Sequence, residues 1–471
     1  MWNTYDDITP FWNITRAWLD ASDTIVYETL SESGISEAVV RQISLSNDEP
    51  EWMLEFRLRA LEQYKKMKLP NWWPSLEKLD LTTINYFAKP EWAGDTKSWD
   101  DVPENIKRTF DKLGIPEAER SILAWVWAQY DSEVVYHKLR QELIDLWVVF
   151  EDMSVAIHTY EEKVRKHFMR LVPPTDHIFA ALHGAVWSGG TFLFIPRWVH
   201  VKEPLQAYFR MNLRSGWQFE HTLIILEEDA EAHYIEGCSA PKYGTASLHA
   251  GCVEIYVWKN AHMRYSSVEN WSSDTYNLNT KRAIIEADGS IEWVGGNLGS
   301  GVTMLYPCSI LKWARSRAEH LGIAFANTWQ NTDTGAKVIH IGEHTKSEII
   351  SKSLSKWGGI STYRGLVDVR QSAHHAVSKI DCDGLILDEL SESHTIPDIR
   401  VNNTTVTIAH EATVWKINED HLFYLMSRWL SEAAAKTLLV NWFLSSLVKE
   451  LPLEYAAELN VLIGMEIEGG F

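Results

Sequence analysis

The sequence is poor in cysteine, in long apolar runs and in positive charge. It has only four cysteines in 471 residues, too few for a disulfide framework, so we expect a reducing, cytoplasmic environment. No apolar run reaches the roughly 18 residues of a membrane span, and the acidic N-terminus does not resemble a secretion signal. The net charge of −20, without a basic stripe, argues against nucleic acid as a partner. The motif GxxxxGK(S/T) is also missing, which excludes a P-loop nucleotide hydrolase.

Residues 1–148 are predicted to form an N-terminal helical and irregular region. The clearest helix follows Asp48, which suits an N-cap, with Pro50 in the first turn and Glu51 completing a capping box. Apolar residues then recur with a period close to 3.6, as expected of a helix packed on a core. Two further helical runs are predicted within residues 98–129.

Residues 149–409 carry a series of short β-type runs without intervening helices. Many of these runs alternate apolar and polar residues and are separated by turn residues. A sandwich is one arrangement for such strands, but the long uninterrupted series favours a β-helix or solenoid. The predicted strands are 191–195, 222–226, 253–257, 263–267, 283–287, 291–294, 337–341, 347–350, 365–369, 384–387 and 404–408.

Helices are predicted again in the C-terminal region, 410–471. One covers residues 419–430, a second follows Ser431 as its cap, and a third begins at Pro452. Such helices suit either a docking surface for a partner or a cap over the edge of the β region.

Two cysteines stand in contexts that suggest chemistry. Cys238 lies between glycine and serine in YIEGCSAP, where a thiol can be reached; the alternative is a buried small apolar residue, which is the commoner role of a single cysteine. Cys382 lies between Asp381 and Asp383, which would raise its pKa and could help to hold a cation.

Histidines provide a second group of candidates. His410 and Glu411 are adjacent, so in a strand they point to opposite faces and share a metal only if the chain bends there. His374 and His375, upstream of Cys382, suit either a soft or borderline metal site or a solvated loop.

Motifs spread over nearly the whole chain resemble the SufB/SufD family of the SUF iron–sulfur cluster assembly machinery. The resemblance, which is closest to the SufB scaffold subunits, implies a mainly β fold: a right-handed parallel β-helix between helical ends. It also implies a complex with the ATPase SufC at the C-terminal helices, with SufD or a second copy of the chain, and sulfur supply by a cysteine desulfurase and a sulfur carrier. The motifs include EPEWMLEFRLRAL (49–61), SWDDVPENIKRTFDKLGIPEAER (98–120), YFRMN (208–212), YIEGCSAP (234–241), GAKVIHIG (335–342), TKSEIISKS (345–353), YRGLV (363–367), HEATV (410–414) and ELPLEYAAELN (450–460).

The resemblance also implies roles for individual residues. Cys238 would accept sulfur as a persulfide, and a nearby cation, Lys281 or Arg210, would lower its pKa. Sulfur would then pass through the β-helix interior to a transient iron–sulfur cluster of undetermined type; the resemblance leaves a reduced flavin open as a further cofactor. The implied path residues are Arg210, Asn212, Glu269 (glutamine in some members), Trp271 and Lys281, and the implied cluster and iron ligands are Cys382, His410 and Glu411.

Two departures from the family keep a second function open. Some members have cysteine where this chain has Ser391 and glutamate where it has Ala409. A SufD-like structural adaptor without its own cluster is therefore an alternative to a scaffold. A β-helix enzyme acting on polysaccharide is disfavoured, because no acidic cluster recurs in register.

Tryptophan is unusually frequent and glycine scarce, with 23 and 25 residues respectively. Ten tryptophans stand where family members carry glycine, although indole is a poor substitute in tight turns and close packing. We therefore predict that these positions are glycines encoded by UGA and translated here as tryptophan; a chain truly rich in tryptophan is the alternative. The ten are Trp73, Trp125, Trp127, Trp147, Trp198, Trp217, Trp313, Trp329, Trp429 and Trp442.

Overall fold

The structure is a computed structural model and describes residues 27–69, 74–90, 125–130, 133–139, 141–211, 217–417, 419–449 and 463–464. Its body is a parallel β-helix flanked by N-terminal and C-terminal helices, as predicted. No helix among the described residues is both long and apolar enough to cross a membrane.

Apart from one separate two-stranded sheet, the strands form two long sheets that together make the wall of the β-helix. One sheet has ten strands, β26-β24-β22-β19-β16-β13-β10-β7-β3-β4, and the other has fourteen. Their bounds are β1 Tyr27–Leu30, β2 Ala88–Pro90, β3 Trp125–Tyr130, β4 Glu133–Leu139, β5 Val149–Asp152, β6 Thr191–Ile195, β7 Leu205–Arg210, β8 Trp217–Gln218, β9 His221–Leu226, β10 Glu231–Ser239, β11 Ser247–His249, β12 Cys252–Val257, β13 His262–Asn270, β14 Thr275–Asn277, β15 Thr280–Ile285, β16 Ser290–Leu298, β17 Val302–Leu305, β18 Cys308–Leu311, β19 Arg317–Ala326, β20 Asn331–Thr334, β21 Lys337–His340, β22 Lys346–Ser355, β23 Ile360–Val369, β24 Val377–Ile386, β25 Glu392–Val401 and β26 Thr407–Lys416.

Each coil of the β-helix returns after about 30 residues, so that His262 pairs with Ser290 and Lys346 with Val377. Strands of successive coils pair in parallel. Because side chains alternate along each strand, every second residue points into the interior. The largest cluster of buried apolar side chains among the described residues fills this interior, with members from Leu143 to Cys382. The interior is thus the place where side chains distant in sequence meet.

The helices cover the outside of the first coils and the far end of the body. Their bounds are α1 Glu37–Ser46, α2 Glu51–Lys66, α3 Gln141–Asp145, α4 Met153–Thr159, α5 Glu161–His167, α6 Ile178–Val186, α7 Glu419–Met426 and α8 Glu432–Val448.

A buried ion pair fixes α2 to α6. Arg57 donates to Glu49 at 2.5 and 2.7 Å and to the backbone carbonyls of Ala185 and Trp187 at 3.2 and 2.8 Å. The guanidinium therefore has a partner on each side, which buried charge requires.

Several local predictions need correction. Asp48 is not the N-cap, because its φ is +49° and the helix begins after Pro50, whose side chain cannot cap it. Residues 125–129, predicted to be helical, lie in strand β3, while 98–124 fall outside the described residues. Strand β26 continues through the predicted boundary at 409/410, so the C-terminal helices begin at Glu419.

Of the other two C-terminal predictions, one is confirmed and one lies almost wholly outside the described residues. Ser431 is confirmed as a cap, because its Oγ accepts from the Ala434 N–H at 3.2 Å. The helix predicted from Pro452 falls almost wholly outside the described residues.

The backbone supports the prediction about tryptophan. Five tryptophans have left-handed φ between +51° and +70°, a region that suits glycine and is strained for a bulky residue. Four of them, Trp147, Trp198, Trp329 and Trp429, belong to the predicted ten, and their side chains are 71–97% exposed. The fifth, Trp357, was not among the ten and is detected only through its φ of +51°.

Candidate functional site

A group of charged side chains lies inside the β-helix around Cys238. Residue alternation directs Glu236 and Cys238 of β10, Glu269 of β13 and Lys281 of β15 toward the interior. All four are at most 1% exposed. Charged groups this deep must be paired, and these are paired with one another.

Lys281 is the centre of the group. Its Nζ lies 2.9 Å from Glu269 Oε1 and 3.4 Å from Glu236 Oε1. Burial lowers the pKa of Lys281, but the two carboxylates outweigh it and the pKa is raised. The ammonium therefore stays charged in a dry interior.

The pKa values of Glu269 and Glu236 are shifted in opposite directions. Burial raises the pKa of Glu269, but Lys281 and His249 outweigh that effect and the pKa is lowered. The second oxygen of Glu269 accepts from Asn277 Nδ2 at 2.5 Å and from Trp271 Nε1 at 3.4 Å. For Glu236, burial prevails over Lys281, and the pKa is raised.

Cys238 is neither accessible nor activated: its burial agrees with the alternative of a buried small side chain, and its pKa corrects the expectation that a nearby cation lowers it. Its side chain is buried, and its Sγ lies 4.0 Å from Glu236 Oε1. Burial and the carboxylates of Glu236, Glu220 and Glu269 raise its pKa well above the usual value, and Lys281 only partly opposes them. The thiol is therefore protonated in this conformation.

The other predicted path residues divide into two groups. Trp271 lies in the group, with its ring 4.2 Å from that of His249. Arg210 instead donates to Ser239 Oγ at 3.1 Å, on the face of the sheet opposite Cys238, so it does not lower the pKa of that thiol. Asn212 lies outside the described residues.

Two residues of the site escaped sequence analysis. His249 Nε2 lies 2.5 Å from Glu220 Oε1, and both side chains are buried beside Cys238. One ligand atom from each of Glu220, Cys238 and His249 lies within 4.8 Å of the others, so the three could hold a metal ion. The available signal was the spacing of about one coil that separates Glu220, His249 and Asn277 in otherwise apolar runs.

At the far end of the β-helix the structure brings Cys382 and His410 together. Cys382 Sγ lies 3.7 Å from His410 Nε2, across the pair of strands β24 and β26. Glu411 pairs with Asp381 and lies on the opposite face, so it does not join His410 around one ion. Burial, together with Asp381 and Asp383, raises the pKa of Cys382 to about 12 although Tyr363 opposes the shift.

The remaining candidates lie elsewhere. Ser391 Oγ donates to Asp388 at 2.9 Å and accepts from the Gly358 N–H at 3.1 Å, which is a turn-stabilising role. His375 stacks on His344 at 5.0 Å in a turn. Because His375 precedes Cys382 by seven residues, most of them in an extended strand, the two are on the order of 20 Å apart and do not form one site.

A cavity separates the two thiol sites. Cys238 and Cys382 are five strand-to-strand steps apart, or about 24 Å. Between them lies a cavity of about 50 Å³ whose lining includes Lys281, His320 and Tyr363. Lys281 belongs to the Cys238 group and Tyr363 lies beside Cys382, so the cavity is lined by one residue from each end but by neither cysteine.

Comparison with known proteins gives a consistent result over most of the chain. Residues 209–443 match the family model "SUF system FeS cluster assembly, SufBD core domain", and residues 40–207 match "SufBD protein N-terminal region". The chain is 49% identical over 439 residues to the iron-sulfur cluster assembly protein SufB of Bacillus subtilis (strain 168), covering 93% of this chain and 94% of that protein. It is 50% identical, with the same coverage, to an iron-sulfur cluster assembly SufBD family protein of Staphylococcus saprophyticus.

Proposed function

Because the chain belongs to the SufB/SufD family of iron–sulfur cluster assembly proteins, we propose that it is an assembly scaffold of the cytoplasm. It accepts sulfur and iron, builds a nascent cluster and passes the cluster to apo-proteins. The scaffold has no catalytic activity of its own, and ATP hydrolysis belongs to its partner SufC. The observation that supports this proposal is the buried group of Cys238, Glu236, Lys281 and Glu269, which lies in the same interior as the pair Cys382 and His410.

Sulfur enters at Cys238 as a persulfide donated by a cysteine desulfurase and its sulfur carrier. A persulfide anion needs a cation inside the protein. Lys281 supplies an ammonium there, which lies between Glu236 and Glu269. The distance of about 24 Å to Cys382 excludes direct thiol–persulfide exchange. Sulfur therefore leaves Cys238 as sulfide after two-electron reduction, for which we propose a reduced flavin as the donor.

Iron meets sulfur at the Cys382 end. A thiolate and an imidazole suit ferrous iron and an iron–sulfur cluster. Two ligands do not complete a cluster site, and neither Ser391 nor Glu411 faces this pair. The missing ligands come from the partner chain that covers this end.

The open end of the β-helix is the surface for that partner, SufD or a second copy. Within the described residues, β25 pairs only with β23 and β26 only with β24, so each has an unpaired edge. An unpaired strand edge favours pairing with another chain. Exposed apolar residues on these strands, Ile396, Ile399, Val401 and Val414, favour the same use.

The helices α7 and α8 form the surface for SufC. Helix α7 buries none of its residues, and it exposes Phe423, Tyr424 and Met426. A contiguous exposed apolar patch of this kind marks a protein–protein interface rather than a cap over the β edge.

Anaerobic reconstitution with iron and sulfide in the presence of SufD, with and without SufC, tests the scaffold proposal. We expect the visible absorption of a cluster in the wild type and its loss in Cys382→Ala and His410→Ala. Glu411→Ala is the matched control, because its side chain leaves the same strand on the other face, and it should keep the colour. A colourless wild type that still binds SufC would favour the SufD-like adaptor.

A further inference from the structure

A second cluster of metal-ligating side chains lies outside the β-helix interior, under helix α6. His183 comes from the last turn of α6, His221 is the first residue of β9, and Cys252 is the first residue of β12. His221 and Cys252 are register partners in adjacent coils. All three side chains are at most 1% exposed, and one ligand atom from each lies within 4.8 Å of the others.

The outer nitrogen of each imidazole faces an acceptor. His183 Nδ1 lies 2.9 Å from the carbonyl oxygen of Ala250, so this nitrogen carries a proton. His221 Nε2 lies 3.3 Å from Glu254 Oε2 without making a hydrogen bond, so the negative carboxylate lies behind this ring but does not assign its proton. Metal-ligating histidines are oriented in the same way, by a carbonyl or a carboxylate on the nitrogen that does not bind the metal.

Glu254 is rigidly held for this role. Its Oε2 accepts from the Met169 N–H at 2.5 Å, and its Oε1 accepts from the N–H groups of Leu171 and Val172 at 2.6 and 2.9 Å. Three backbone donors fix the carboxylate, so it cannot rotate away from His221.

The inner nitrogens lie against each other. His183 Nε2 and His221 Nδ1 are 3.1 Å apart, a distance that either a proton on His221 Nδ1 or a cation bound by both nitrogens accounts for. One shared proton would satisfy the two rings but gives Cys252 no role. A metal ion satisfies both nitrogens and uses the thiol at the third corner.

The geometry fits a tetrahedral ion. Two nitrogens bound at about 2.0–2.1 Å in a tetrahedral site are roughly 3.3 Å apart, close to the observed 3.1 Å. Two imidazoles and one thiolate suit a borderline-soft divalent metal, of which zinc is the typical tetrahedral case.

We propose that His183, His221 and Cys252 form a structural zinc-type metal site that fastens helix α6 to two coils of the β-helix. Binding forms three metal–ligand bonds and releases the thiol proton of Cys252, together with any proton shared by the two rings. The proposal does not depend on the scaffold function, because none of the three residues lies on the route from Cys238 to Cys382.

The test is a zinc titration of the full-length chain after chelation, in competition with a chromophoric chelator. Cys238→Ala removes the other three-residue metal group, and Cys308→Ala removes a buried cysteine from another strand of the same sheet. We expect one tight zinc site that survives in both variants, about 100-fold weaker binding in Cys252→Ala and 10–100-fold weaker binding in Glu254→Gln. Tight binding that persists in Cys252→Ala, or that disappears in Cys238→Ala, would overturn the proposal.

X-ray absorption of the zinc-loaded chain with Cys238→Ala and Cys382→Ala gives a readout that does not require a Cys252 variant to fold, and the second change removes the thiol of the Cys382–His410 pair. We expect one sulfur near 2.3 Å and nitrogen ligands near 2.0 Å. A shell of nitrogen and oxygen alone contradicts the site. Loss of persulfide loading at Cys238 leaves this result unchanged, so failure of the scaffold proposal and failure of this one can be told apart.

Discussion

Replacing the exposed left-handed tryptophans by glycine should stabilise the protein. The change is Trp→Gly at positions 147, 198, 329 and 429, where φ lies between +56° and +70°. A residue with a Cβ in this region costs about 1–2 kcal/mol, because Cβ approaches the following carbonyl oxygen. Glycine has no such cost.

The expected gain follows from three terms. The four indoles are 71–97% exposed, so little buried apolar area is lost with them. Because glycine is more flexible in the unfolded chain, each replacement also loses about 0.4–1 kcal/mol of stability. The net gain is about 0.5–1 kcal/mol per site, or about 2–4 kcal/mol for four independent sites. For 471 residues unfolding as one unit, the entropy of unfolding is about 1 kcal/mol/K, which makes the rise in Tm about 2–4 °C.

Thermal unfolding followed by circular dichroism or calorimetry measures this shift. Trp415→Gly is the control, because Trp415 is half-exposed but lies in the extended strand β26. There glycine should lower stability, by up to about 1 kcal/mol. Destabilisation by all five replacements would refute the backbone argument. The translation hypothesis has a separate test, since UGG codons at the ten predicted positions would reject it.

Three further predictions concern the interior. Cys238→Ala should abolish persulfide loading measured by mass spectrometry, whereas loading that persists would assign the acceptor role to Cys382. Lys281→Met should destabilise the fold by about 3–5 kcal/mol in denaturant unfolding, because it leaves two buried carboxylates unpaired; Lys281→Met with Glu269→Gln should recover part of that loss, and additive effects would argue against the pairing. Because the pKa of Glu269 is lower in the folded than in the unfolded chain, Glu269 stabilises the fold at pH values above its unfolded pKa of about 4.3. This contribution is lost as the pH falls through the pKa of the folded state. Acid unfolding of Glu269→Gln should therefore depend less on pH than that of the wild type.

Eleven strands were predicted near their observed positions but most of them not at their full length, and β10, which carries Cys238, and β19 were not predicted. The predicted strand 347–350 covers only part of β22, which continues through mainly polar residues to Ser355. In a parallel β-helix the backbone pairs with the coil on each side, so pairing persists where side chains turn polar. Sequence alternation records side-chain burial and cannot register this continued backbone pairing.

Sequence analysis named the two cysteines of the candidate site but not all of the residues around them. Cys382 and His410 do meet, although they are 28 residues apart in the chain, because that separation is close to one coil. Glu220 and His249 were missed because their contact depends on the register between coils. The sequence has no exact repeat that would reveal this register. The direction of the Cys238 pKa was also mispredicted, because burial and the three surrounding carboxylates, supplied by three different segments of the chain, outweigh one ammonium.

The burial of Cys238 makes a kinetic prediction about sulfur loading. Its thiol is 1% exposed, and its pKa is raised by burial and neighbouring carboxylates, so a donor cannot react with it in this conformation. Loading must follow a local opening of the coils around β10. The loading rate should therefore reach a plateau as donor concentration rises, and the plateau is the opening rate.

Alkylation with a small thiol reagent tests the same opening without the sulfur donor. We expect modification of Cys238 in the native chain to be slow and to accelerate as pH rises, since a raised pKa keeps the thiol protonated at neutral pH. Cys308, which is equally buried in the other sheet and lies outside the proposed route, is the internal control. If the sulfur donor accelerates alkylation of Cys238 but not of Cys308, the opening is specific to the sulfur entry site. Fast modification of Cys238 at neutral pH in the isolated chain would contradict both its burial and its raised pKa.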